Sequence, residues 1–115
     1  MKMYPAQMFV AEQPVDLSRA SLRGLSYALR HRETWPADFK VWYYGRCETC
    51  AMGLASALWP RIGLHNYPRS IVGTFEIDED EAYELFCSDY GFANRRYITP
   101  EMVANAIDAV LARRA

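Results

Sequence analysis

Apolar residues recur at helical spacing in four stretches of this chain. Leu22, Leu25 and Leu29 fall at i, i+3 and i+7, one face of a helix. A first helix is therefore expected from Asp16 to Arg32, capped by Asp16 or Ser18 with Pro14 just outside. From Cys47 to Trp59, Cys47, Cys50, Leu54 and Leu58 share one face and Met52, Ala55 and Trp59 another. Only Glu48, Thr49 and Ser56 are polar after Cys47, and Pro60 ends the stretch. A helix apolar almost all round is buried on several sides, so Leu54 and Leu58 are both expected in the core. Asp78 followed by Glu81 is a capping box. It opens a helix from Glu79 to about Ser88 with Ala82, Leu85 and Phe86 inward. Thr99-Pro100-Glu101 supplies a cap, a proline for the first helical position and an acid for the first turn. Met102, Val103, Ala106, Ile107, Val110 and Leu111 then repeat with helical spacing.

The connections carry less pattern. Residues 1–15 read as an irregular arm. Trp35, Phe39, Trp42, Tyr43 and Tyr44 make 33–46 an aromatic-rich connector. Trp35 precedes Pro36 and should be extended. No partner strand is visible for Lys40 to Tyr44, so its rings are expected to cover the core irregularly. Pairing of 40–44 with 70–77 as one two-stranded ribbon is the alternative. Residues 61–75, with Gly63, Pro68 and Gly73, read as a loop holding a brief extended or helical piece at Ser70 to Val72. The pattern thus predicts a mainly α fold, a compact single-domain bundle of about four helices spanning 1–115.

Composition narrows the class. Hydrophobic residues make up 51% of the 115 positions and charged residues 23%, which excludes a disordered chain. A chain of this length buries roughly two thirds of its surface, enough for one core. No apolar run approaches the roughly 20 residues of a membrane helix, and no secretory signal is visible. A soluble, cytoplasmic protein is expected. The net charge of −1 disfavours a nucleic-acid partner. The charge is uneven, however: +4 over residues 1–69 and −5 over 70–115. Such a split suits steering of a partner or head-to-tail self-association. Arg19, Arg23 and Arg30 line up beside the leucine stripe, a row able to meet phosphates or an acidic partner, or to lie as a solvated edge over the core.

Cys47, Cys50 and Cys87 are an odd set, read as reduced thiols. Core packing and helix capping account for them most simply. Cys47-x-x-Cys50 beside Arg46 resembles the local setting of a redox pair, but the strand-helix-strand unit before it is missing. With His65, the three cysteines would make a Cys₃His zinc set, although His65 and Cys87 each stand alone in sequence. Cys47 as a nucleophile would need His65 or His31 as its base. No metal, cofactor or catalytic residue is expected from this pattern. The loop His65-Asn66-Tyr67-Pro68-Arg69 is the most polar and aromatic of the chain. With the N-terminal end of the core helix it nominates a ligand site of Tyr43, Tyr44, Arg46, Cys47, His65, Tyr67 and Arg69, where free N–H groups favour an anion.

Trp42 followed by Cys50-Ala51-Met52-Gly53-Leu54, and Thr99-Pro100-Glu101-Met102-Val103 opening the last helix, resemble small bacterial and phage proteins of uncharacterised function. Those proteins show a Trp, then a Cys-Ala-x-Gly buried helix and a closing Thr-led helix with terminal basic residues. The resemblance implies no activity. The expected function is that of a small helical interaction or accessory protein with a protein partner. The alternative is a cysteine-centred enzyme or zinc protein built around Cys47.

Overall fold

The computed structural model describes residues 15–39, 41–44, 50–61, 69–92, 94 and 97–114, with Arg69 and Ser70 entering by their backbone alone. The described part is mainly α: α1 (Leu22–Arg30), α2 (Ala51–Leu58), α3 (Arg69–Phe75), α4 (Glu79–Phe86) and α5 (Pro100–Ala112), with a 3₁₀ turn at Arg32–Thr34. No strand occurs among the described residues, and none of their helices is long and apolar enough to cross a membrane.

Local chemistry sets the helix ends. Asp16 does not cap α1. Its Oδ1 takes the Ser18 N–H at 2.9 Å and the Ser18 hydroxyl at 2.7 Å, closing a local turn that competes with helix. Ser21 is the cap instead, extended at φ −159°, its Oγ accepting the Gly24 N–H at 2.9 Å. The expected helix from Asp16 to Arg32 is thus shortened at both ends. Trp35 is extended (φ −70°, ψ 138°), as the following proline requires. Asp78 accepts the Glu81 N–H at 2.8 Å while Glu81 accepts the Asp78 N–H at 3.0 Å, the reciprocal box read from the sequence. Thr99 caps α5 through the Met102 N–H at 3.2 Å, with Pro100 in the first turn.

A helix beyond the four expected, α3, corrects the described end of the expected loop, extending the brief piece read at Ser70 to Val72 over Arg69–Phe75. Val, Ile, Thr and Gly have modest or poor helix propensity, so α3 leaves no strong local signal. Burial of Ile71 and Phe75 on one face supplies what propensity lacks. Glu76 then turns left-handed at φ 57°, and the Ile77 N–H reaches back to the Val72 carbonyl at 3.3 Å, the 6→1 bond of a Schellman end. Because residues 71–75 are helical, no ribbon forms among the described residues of the 40–44 and 70–77 segments.

α2 begins later than expected. Cys50, at φ −104° and ψ −166°, is its N-cap; Cys47 lies outside the described residues. Leu54 is fully buried, whereas Leu58 is only half-buried, a correction to the expectation for both. α4 and α5 place Ala82, Leu85, Phe86, Val103, Ile107 and Val110 in the same core as Leu22, Leu25 and Leu29 of α1.

α1 packs most extensively on α5. A polar network fastens that seam. Buried Ser26 donates to Asp108 Oδ1 at 2.7 Å and accepts from Arg30 at 2.8 Å. Arg30 also reaches Asp108 Oδ2 at 2.9 Å and Asn105 Oδ1 at 2.6 Å. At the far end of α5, Arg114 pairs with Glu81 at 2.7 Å and Arg113 with Glu84 at 3.3 Å, tying α5 to α4.

The aromatic connector covers the core as expected, and the polar tips of Trp35, Trp42 and Tyr44 each find a carbonyl. The Trp35 indole donates to Ala28 O at 2.7 Å, Trp42 to Ile98 O at 2.7 Å, and the Tyr44 hydroxyl to Leu85 O at 2.9 Å. The rings run in succession, Trp35 to Trp42 at 6.3 Å, Trp42 to Tyr44 at 6.2 Å and Tyr44 to Tyr90 at 6.0 Å. An amphipathic ring with its polar end satisfied can seal a helix bundle without any strand.

Candidate functional site

Of the residues nominated from sequence, Tyr43 is half-buried and Tyr44 is buried. Arg69 opens α3 by its backbone. Arg46, Cys47, His65 and Tyr67 lie outside the described residues, as does the side chain of Arg69. Tyr44 serves the core: its hydroxyl and that of Tyr90 both donate to Leu85 O at 2.9 Å, satisfying a carbonyl in the last turn of α4. His31 stacks on Tyr27 at 4.1 Å and sets Nδ1 3.1 Å from Glu33. Cys50 is buried and Cys87 is half-buried. Among the described residues no group of three or more His, Cys, Asp or Glu could hold a metal.

The tyrosine pair has a measurable consequence. Burial, then the neighbouring Tyr90, pushes the Tyr44 phenol well above its ordinary value, and burial with smaller contributions from Glu84 and the thiols pushes Tyr90 up to about 12. Both shifts favour the neutral phenol in the folded state. Their contribution to stability is complete below the unfolded value of 10.0; that of Tyr90 is lost as pH rises through about 12, and that of Tyr44 at still higher pH. Base should therefore destabilise the protein progressively as pH rises above about 10. Tyrosinate absorbance and helical circular dichroism recorded on one titration should show the last phenols ionising as helix is lost. A full set of phenolates with the helix signal intact would contradict this placement of the pair.

The described residues form a different concave feature, where three helix ends meet. A cavity of about 600 Å³ lies between the approach to α1, the end of α3 and the end of α5. Arg19, Arg23 and Arg114 line it, with Asp16 and Glu76, over apolar Leu22, Phe75 and Leu111. A second cavity of about 340 Å³ shares Ala20 and Thr74 with the first and continues to Leu58, Trp59 and Arg61. Together they make one open, two-lobed groove within the size range of ligand sites.

Its charges are not equivalent. Asp16 is held by Ser18, whose hydroxyl and then N–H keep the carboxyl below the ordinary carboxylate range, with Arg19 adding a smaller pull. Arg114 is already paired with Glu81. Arg19 and Arg23 are exposed and make no hydrogen bond or close ion pair with any described residue. The arginine row read from the sequence is therefore split. Arg30 is held in the α1–α5 seam, while Arg19 and Arg23 turn to the groove. Sequence reasoning did not find the other wall. Thr74 and Phe75 stood in the expected loop over 61–75, and nothing in the pattern brings them or Glu76 beside residues 15–23.

The chain matches no protein family, no curated protein and no solved structure.

Proposed function

We propose that this is a small cytoplasmic accessory protein that acts by binding another protein, with the two-lobed groove as its binding face. The observation that carries the reading is the pair Arg19 and Arg23, without close ionic partners among the described residues, at the rim of a groove with an apolar floor. A charged group kept at a concave, partly apolar surface and not paired within its own fold is available for recognition. The fold supports this reading, since its aromatic tips and the Ser26–Arg30–Asp108 network are occupied in holding the bundle together.

A photoreactive amino acid in place of Ser18, which is exposed and lines the second lobe, tests the proposal in the cells that make the protein. A discrete cross-linked protein adduct is expected there. No adduct is expected from the same group at Asp38, an exposed position of the connector. Equal labelling from both positions, or none from Ser18, would overturn the reading.

A further inference from the structure

We infer that the segment received by the groove is an extended, acidic stretch of polypeptide with an apolar residue between its carboxylates. This rests on the binding reading and names the chemistry of the partner. Three observations carry it. Arg19 and Arg23 offer planar guanidinium groups, which match carboxylates in bidentate geometry. The surface beside them is partly apolar, with half-buried Val15, Ala20 and Leu111 in one lobe and half-buried Leu58 in the other. The lobes adjoin at Ala20 and Thr74, so the groove is longer than a single ionic group needs.

A lone phosphate fits less well. Its sites are compact cups of converging donors, whereas these arginines are exposed and Asp16 and Glu76 share the lining. Those two carboxylates also make the groove selective. They disfavour a uniformly acidic tract and leave carboxylates welcome chiefly beside Arg19 and Arg23. An apolar side chain between two carboxylates would cover the half-buried Val15, Ala20 and Leu111.

The test uses the full chain and a fluorescent synthetic peptide built from Glu and Leu, with a control peptide carrying Gln for every Glu. Anisotropy should report binding of the Glu peptide that weakens with salt, and much weaker binding of the Gln peptide. Arg19→Glu with Arg23→Glu should weaken the Glu peptide by at least about tenfold. Arg19→Gln with Arg23→Gln should give a smaller loss, and Arg32→Glu, at the other end of α1, no loss. Circular dichroism of each variant should match the parent, and the Gln pair stands in if the Glu pair does not fold.

Absence of Glu-peptide binding, equal binding of the two peptides, or indifference to both double substitutions would overturn the inference. So would full displacement of the peptide by inorganic phosphate at matched ionic strength, which would assign the arginines to a small anion. A cross-link from Ser18 without Glu-peptide binding overturns the acidic segment and leaves the binding reading standing. Loss of the cross-link overturns both.

Discussion

Trp59→Ala is expected to cost about 3–5 kcal/mol of folding stability, the range for truncating a buried aromatic to Ala. Trp59 is only 7% exposed, and its ring ties together three parts of the chain. Its indole donates to Leu17 O at 2.8 Å. Its edge meets Phe75 of α3 at 6.1 Å and 71°. Its ring also lies so close to α1 that a Cβ at Gly24 would sit 3.4 Å from it and 3.0 Å from the capping Ser21 Oγ. Gly24 is therefore where the segment after α2 approaches α1, and Trp59 fills the room that the missing side chain leaves. Truncation would open a cavity there and strand the Leu17 carbonyl. Trp59→Phe should fall between, because it keeps most of the ring and loses the donor, worth about 1–3 kcal/mol if the carbonyl stays dry. Urea midpoints at unchanged slope would measure both. A Phe variant as unstable as the Ala variant would assign the whole effect to the hydrogen bond, and a near-neutral Ala variant would contradict the packing.

Leu54→Ala is the second large expected effect, at about 2–5 kcal/mol. Leu54 is 0% exposed, and α2 around it is buried from Ala51 to Ala55. Ala51, Gly53 and Ala55 beside it have short side chains that cannot fill the space. Leu58 supplies the internal comparison. It lies one turn further along the same face but is half-buried, so Leu58→Ala should cost clearly less, in proportion to the apolar surface it keeps from water. Equal losses at the two positions in urea denaturation would mean that α2 is covered along its whole length, as the sequence alone suggests.

The helices that were legible in the sequence are those whose ends are written in side chains. Asp78, Glu81 and Thr99 accept from N–H groups three residues away, and Pro100 fixes the first turn of its helix, so no distant contact is needed to place them. The first helix shows how such reading goes astray. Asp16, Ser18 and Ser21 are all good caps by type. Asp16 and Ser18 bond to each other, and the competition is settled in favour of Ser21 by hydrogen bonds that periodicity does not register. At the other extreme, α3 is built from residues whose own preferences are weak, and it stands on the burial of Ile71 and Phe75 against elements far away in sequence.

The same division runs through the candidate site. The sequence by itself brought Arg19 and Arg23 forward as members of one charged row and determined that the aromatic connector would cover a helical core, because both follow from spacing and side-chain type along a few neighbouring residues. Only the tertiary structure decided that Arg30 is taken by Asp108 and Ser26 while Arg19 and Arg23 are left at a groove. It likewise decided that Tyr44 is tied to Leu85, and that the ends of α3 and α5 supply the groove's other walls. The physical reason is range. Caps, turns and periodicity are interactions between residues close in the chain, whereas ionic pairing and cavity shape depend on which distant surfaces meet, and that is set by packing of the whole core.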